Sequence, residues 1–424
     1  QALPDIAKQD HEWGHSNAYN GEKVLIEFVS ANPTGPLHVG HGRWAVIGDA
    51  IARLLSAAGC KVAKEFYVNN VGNQVEKLFL SVKAVREGAP IPEGGYGGDY
   101  VEKLKGNTLA EIITHVLARQ KKIMESIGVY FDRYFFESEL HKDNLVKLAV
   151  EKLAESQHTF EESGAIWFKS QAFGDDKNRV LIREDGSPTY FSADIAYHLD
   201  KYNRGFDRLI DIWGTDHHGY VARLKSALQA LGLDPEKLEI IIGQLVTLYR
   251  GNEPIRMSKR TGEMVTLEEV VDEIGADATR FFFSATDVNS HLDFDLELAK
   301  KQSNDNPVFY VQYAHARICS ILAKSQIQNL KSKQGVDLSE LKHPAERVLM
   351  LKLLSWPDVV REAARLRHPH RLTEYAKELA AVFHSFYEQC RVLGNPSRLM
   401  LVNCSRITLR NVLELLGITA PESM

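Results

Sequence analysis

Residues 24–59, VLIEFVSANPTGPLHVGHGRWAVIGDAIARLLSAAG, read as a buried strand, a Gly/Pro turn and an amphipathic helix opening with two histidines. Val24 to Val29 is a short apolar run rich in branched residues with one acid, Glu27, inside it, and Ser30 to Pro36 supplies turn residues. A helix is expected from about Leu37, because Val39, Trp44, Ile47, Ile51, Leu54, Leu55 and Ala58 recur at helical spacing, with Gly59 as its stop. His38 and His41 stand three apart on its first turn, where free backbone amides and the helix dipole favour an anion. That predicts a phosphate site. Gly40 between them has no Cβ, which lets a flat group such as a purine approach the backbone. A strand followed by HxGH at a helix start suits nucleotidyl transfer, the imidazoles donating to a phosphate whose charge redistributes during attack.

Lys61 to Val68 reads as a second strand, and the sequence after it as a turn into a helix. GAPIPEGGYGGDY, residues 88–100, is dense in Gly and Pro and leads into helical sequence from Val101 to Ile127. Residues 164–191 have short alternating strands and turns, a small β piece. The β/α pattern then resumes: strand Arg208–Trp213, helix Gly219–Leu231, strand Leu238–Val246. Such alternation predicts an α/β fold with a doubly wound parallel sheet that binds ligands at the C-terminal ends of its strands. From residue 263 no further strand is expected, and 305–424 reads as amphipathic helices in a bundle. The expected organisation is a remnant or linker over 1–21, a Rossmann-type domain over 22–262 with an insertion at about 88–205, a helical connection over 263–304, and an all-α domain over 305–424.

With 424 residues, 44% hydrophobic and 25% charged, the composition is that of a soluble globular protein of two or three domains. No apolar run has the length of a membrane span, and QALPDIAKQDHEWGH has neither the basic end nor the apolar core of a secretory signal, so a cytosolic location is expected. Cys60, Cys319, Cys390 and Cys404 show no CxxC spacing and read as reduced thiols. HEWGH at 11–15 matches a zinc-protease pattern, but Gly14 and the polar SNAYNG after it oppose the regular helix that chemistry needs. The net charge is −5, yet residues 305–424 hold 16 Lys+Arg against 11 Asp+Glu, a basic segment on an acidic body that suits a phosphate-bearing partner.

FVSANPTGPLHVGH, residues 28–41, resembles the HIGH region of class I aminoacyl-tRNA synthetases, specifically the bacterial arginyl-tRNA synthetases. A second element, YRGNEPIRMSKRTG at 249–262, is a polar loop bracketed by Gly251 and Gly262, a cationic segment able to close over a triphosphate. Its RMSK is similar to the KMSK loop of that class, which implies that Met257, Ser258 and Lys259 bind ATP and that Lys259 stabilises departing pyrophosphate; Arg256 replaces the first lysine. In WGTDHHGY, 213–220, Gly214 permits close approach and Asp216 suits ribose hydroxyls, while Thr215 or Asp216 serves equally as a helix cap. Asp216, His217 and His218 diverge in direction, so no metal is expected there.

Glu27, inside an apolar strand, needs a partner; an internal ion pair with one of the 51 Lys+Arg residues satisfies that, as does a substrate cation. Asp194 follows Tyr190 by four, which on a helix start would face both the same way. The resemblance implies that Tyr190 and Asp194 hold a substrate guanidinium, that Glu27 and Asn32 surround the amino acid with Ser30 nearby, and that His217 lies at its amino-acid end. YVQYAHAR, 310–317, and FHSFYEQCRV, 383–392, resemble the family's helical anticodon-binding domain; Tyr387 is the candidate for stacking an anticodon base, although spacing alone reads as ordinary helix core.

By this resemblance the chain activates L-arginine with ATP, Mg²⁺ being carried with the ATP and no zinc bound by the protein. It then transfers arginine to the terminal ribose of tRNA(Arg), with His38, His41 and Lys259 catalytic and Gly40, Gly214 and Asp216 in the ATP site. The resemblance also implies that tRNA is required for activation; the expected state is a monomer. The family's usual module before the strand near Glu22 is missing from the expected organisation, which leaves a trimmed chain or a non-catalytic synthetase-like binding protein as the alternative.

Overall fold

The chain runs α1 (Ala2–Gln9), β1 (Lys23–Glu27), α2 (Val39–Ala57), β2 (Lys61–Val68), α3 (Asn73–Glu87), α4 (Asp99–Glu102), α5 (Leu109–Ser126), β3 (Arg133–Phe136), α6 (Glu137–Lys142) and α7 (Leu145–Glu155). It continues through β4 (Thr159–Glu162), β5 (Ala165–Phe168), β6 (Arg179–Ile182), α8 (Tyr190–Asn203), β7 (Arg208–Gly214), α9 (Tyr220–Ala230), β8 (Leu238–Gly243), β9 (Val246–Arg250) and β10 (Glu253–Pro254). Then follow α10 (Leu267–Ser284), β11 (Leu292–Asp295), α11 (Leu296–Lys300), α12 (Pro307–Lys324), α13 (Pro344–Leu354), α14 (Trp356–Leu366), α15 (His370–Gln389) and α16 (Pro396–Leu416). The computed structural model describes residues 2–215, 219–251, 253–255, 265–325 and 336–424.

The sheet is parallel throughout, in the order β3-β2-β1-β7-β8. Beyond β1 the chain winds one way through β2 and β3 and then returns to the other side through β7 and β8. The switch point therefore falls between β1 and β7, where an open α/β sheet leaves a crevice at the strand ends. β1 is the centre because Val24, Leu25 and Ile26 are buried on both sheet faces, as a continuous apolar run requires.

Four expectations are corrected. The stretch 88–205 is not wholly an insertion, since β3 pairs with β2 in the main sheet; its antiparallel β4-β5-β6 piece forms a sheet of its own. A strand does occur after residue 263: β11 runs parallel to β9, a four-residue segment too short to show a period. Residues 1–21 are not a mere remnant, because Leu3, Ile6, Ala7 and Trp13 join the core of the helical domain. Finally, α2 is buried on nearly all sides rather than amphipathic, with even Arg43 and Asp49 fully enclosed. It lies between the sheet and α10, α14 and α16. Gly48 makes the sheet side possible: a Cβ there would stand 2.3 Å from Cγ of Phe28.

The C-terminal helices pack around Trp356, Tyr375, Phe383 and Phe386. No helix among the described residues is long and apolar enough to cross a membrane.

Candidate active site

The turn leaving β1 is strained. Val29 and Ser30 have φ of 70° and 40°, a region costly for a β-branched residue, and the surroundings hold it there. Ser30 Oγ donates to Glu27 Oε1 (2.7 Å) and accepts from the Tyr67 amide (3.1 Å). Further along the turn, Gln120 of α5 donates to the carbonyls of Asn32 (3.2 Å) and Gly35 (2.9 Å), and the Tyr100 hydroxyl to that of Thr34 (3.0 Å).

This turn delivers His38 as the N-cap of α2, not as a residue of its first turn. His38 Nδ1 accepts from the amides of Gly40 (3.1 Å) and His41 (3.3 Å), and His41 Nδ1 accepts from the His38 amide (3.3 Å). The two rings stack with centroids 3.6 Å apart. Two of the amides expected to face an anion are thus already satisfied. The rings take over: an Nδ1 that accepts leaves the proton of a neutral imidazole on Nε2, so each histidine is set as a donor at its far nitrogen. Gly40 serves this fold-back, since a Cβ there would lie 2.9 Å from His38 Cε1.

Behind the turn lies a buried polar chain. His198 Nδ1 bonds the Asp194 carbonyl (2.8 Å) and its Nε2 bonds Asp211 Oδ2 (2.8 Å). Lys201 Nζ donates to Asp211 Oδ1 (2.8 Å) and to Glu27 Oε2. Burial alone would push the Asp211 carboxyl up, but Lys201 and His198 hold it at about 2. Burial pushes Glu27 up despite Lys201, with Asp211 adding to the rise. Burial works against the Lys201 ammonium too, yet Asp211 and Glu27 keep it above its ordinary value. Two carboxylates thus share one ammonium, and the internal ion pair considered for Glu27 is present. Asp194 adds a third carboxylate, accepting from the Tyr220 hydroxyl. Glu137 is pushed up to about 7 by burial, with the Asp194 charge adding to it and a bond from Tyr67 opposing it.

A cavity of about 650 Å³ opens over these groups at the ends of β1 and β7. Its wall includes Glu27, Ser30, Asn32, His38, Gly40, His41, Asp194 and Gly214, brought together from four separate stretches of sequence. Tyr190 is not on it. As the first residue of α8 it is 61% exposed, because helical side chains lean toward the N-terminus and the first has no turn beneath it, whereas Asp194 sits one turn in. Asp216, His217, Met257, Ser258 and Lys259 lie outside the described residues. Tyr387 is half-buried in the helical domain, ring to ring with Phe383 and under the Arg317 guanidinium at 4.8 Å.

Sequence reasoning missed Tyr67, Tyr197, His198, Trp44, Trp213 and Tyr220 on the same wall. A signal existed for two of them: Asp194, Tyr197, His198 and Lys201 recur at i, i+3, i+4 and i+7, a polar stripe on a helix that is otherwise buried.

A model described as tRNA synthetases class I (R), catalytic domain, matches residues 2–89 and 97–291, and one described as DALR anticodon binding domain matches 311–424. Fold and site define a class I aminoacyl-tRNA synthetase. Curated arginine–tRNA ligases from Moorella thermoacetica and Heliobacterium modesticaldum are 48% and 47% identical, the alignments covering the whole chain and 81% of each relative. A solved Campylobacter jejuni structure assigned as an arginyl-tRNA synthetase superposes with a TM-score of 0.92 at 35% identity, covering 100% of this chain and 99% of that one. The Thermus thermophilus arginyl-tRNA synthetase shares the fold, with a TM-score of 0.80 at 24% identity over 100% of this chain and 86% of that one. The chain belongs to the arginyl-tRNA synthetase family.

Proposed function

We propose that the residues around this cavity divide the arginine–tRNA ligase reaction between them as follows. Arginine lies against Glu27, Ser30, Asn32 and Asp194, with His217 at its amino-acid end and Tyr190, off the cavity wall at the start of α8, turning in to meet the guanidinium. ATP lies over Gly40 and Gly214 with its ribose on Asp216, and its phosphates run past His38 and His41 to Met257, Ser258 and Lys259. A carboxylate oxygen of arginine attacks the α-phosphorus, the bond to the bridging oxygen breaks, and pyrophosphate leaves; a ribose hydroxyl of tRNA(Arg), the 2′-hydroxyl by class, then displaces AMP from the acyl carbon. Positioning and charge stabilisation carry these steps, with Mg²⁺ supplying further positive charge at the phosphates.

The observation that carries the reading is the pair of carboxylates, Glu27 and Asp194, on the cavity wall, with Asp211 and Lys201 buried behind Glu27; a substrate with an ammonium and a guanidinium complements carboxylate oxygens in such a cavity. The approach of α10 supports a place for Lys259, since the Leu267 amide donates to the Leu37 carbonyl (2.8 Å), so chain only eight residues past Lys259 touches the HxGH turn. In the helical domain Tyr387 is assigned to an anticodon base. The enzyme acts as a cytoplasmic monomer, and activation requires tRNA.

The test is arginine-dependent exchange of labelled pyrophosphate into ATP, with and without tRNA(Arg). Exchange is expected only with tRNA present. Asp194→Asn should raise KM for arginine by about 100-fold while sparing that for ATP; His38→Ala and His41→Ala should lower kcat by about 10²–10³-fold. An unchanged arginine KM in Asp194→Asn would remove Asp194 from the pocket.

A further inference from the structure

Away from the cavity, the segment after α10 meets the corner between α14 and α15, and three ligand-type side chains converge there. His368 Nε2 is 3.3 Å and His370 Nδ1 3.8 Å from Asp287 Oδ2, and a set of ligand atoms, one from each residue, lies within 4.8 Å of one another. Two ligand atoms held ~2.0–2.1 Å from a tetrahedral zinc are about 3.3–3.4 Å apart, so the triad is already near ligating distance.

Its surroundings are those of a built site. Asp287 Oδ1 is occupied by the Asn289 amide (2.8 Å) and its side-chain Nδ2 (3.1 Å), which turns Oδ2 toward the histidines. The Asp287 carbonyl is held by Arg43 Nη2 (2.9 Å) and the Ser290 amide (2.9 Å), so this turn is fixed before any ion binds. Such outer partners orient ligands in metal sites. His370 Nδ1 is buried and makes no hydrogen bond in the structure, an orphaned lone pair that an ion would satisfy. Beside the triad, a cavity of about 410 Å³ lined by Val288, Asn289, Arg367 and His368 offers a way in and room for a water ligand.

We propose that Asp287, His368 and His370 bind one divalent transition cation, zinc by ligand type, as a tie between the catalytic and helical domains. In the sequence only His368 and His370 stand close together; Asp287 is about eighty residues away, so the fold alone assembles the triad. The ion is distant in role from the Mg²⁺ that accompanies ATP. It anchors the turn that Arg43 of α2 grips, and so bears on the placement of His38 and His41.

The experiment uses the full chain stripped by chelator and then titrated with zinc alone, bound metal being measured by mass spectrometry after gel filtration. Cobalt(II) as a second probe reports geometry by its visible absorption. One equivalent and a tetrahedral-type cobalt spectrum are expected. Asp287→Asn and His370→Asn should each weaken binding by at least the 10–100-fold typical of lost outer-shell partners. Each variant's circular dichroism without metal separates lost ligation from lost fold, and whichever variant folds is decisive. Less than a tenth of an equivalent on the native chain would overturn the proposal. So would undiminished binding in a folded variant, which would mean an adventitious ion only, for instance at His11 and His15.

Discussion

Glu137, which neighbours Tyr67 and Asp194 of the pocket wall, shows how burial sets the charge of a single side chain. Its carboxyl is pushed from 4.5 up to about 7 by burial and by the neighbouring Asp194 charge, so between those values the folded chain keeps a proton that the unfolded chain has released. Folding stability therefore falls as pH rises from about 4.5 to about 7, by roughly 3 kcal/mol in all. Glu137→Gln keeps the neutral shape and removes the cost. Urea titrations across pH 4–8 should show the variant equal to the native chain below about pH 4.5 and increasingly more stable up to about pH 7; parallel curves would refute the assignment. Asp211 has the opposite sign. Its carboxyl is held at about 2, so its contribution is complete above about pH 4 and is lost as pH falls toward 2.

The join between β1 and α2 was the most legible element, because an apolar run, a Gly/Pro turn and two histidines at helical spacing each constrain the backbone independently. What sequence could not supply was the use of those residues. Free amides at a helix start are the default reading, yet His38 folds back onto two of them, a choice made by ring geometry. Likewise β3 and β11 were missed since four residues carry no usable period, and Glu27 could not be divided between substrate and ion pair until Lys201 arrived from α8, 174 residues away. The Gly48 approach yields its own prediction. In Gly48→Ala the new methyl would sit inside the Phe28 ring contact, forcing α2 off β1 at a cost of about 1–3 kcal/mol. KM for ATP should rise in the same variant, since α2 carries both histidines; a stable variant with unchanged KM would show that the helix has slack.

The two domains are locked by Arg280 of α10. It is buried and donates to Asp49 Oδ2 (2.7 Å), to the Ile127 carbonyl (2.8 Å) and to the Leu416 carbonyl at the end of α16 (2.6 Å). Arg280→Met leaves Asp49 paired with Arg53 and Lys64 but takes a donor from two carbonyls at the junction, a loss of about 1–3 kcal/mol for each. Calorimetry should then resolve two transitions in the variant against a single one expected for the native chain; a single, equally high transition in the variant would place the coupling elsewhere. The helical core also reaches back to the first residues: the Asn411 side chain donates to the Asp10 carbonyl across 401 positions, and Cys404 packs against Leu3. On a ribosome adding ~5–20 residues per second, α1 therefore waits about 20–80 s for its partner helix. Throughout that interval Leu3 and Ile6 lack the α16 side of their core, which leaves this short helix open to chaperones, and to mispairing with neighbouring nascent chains, during synthesis.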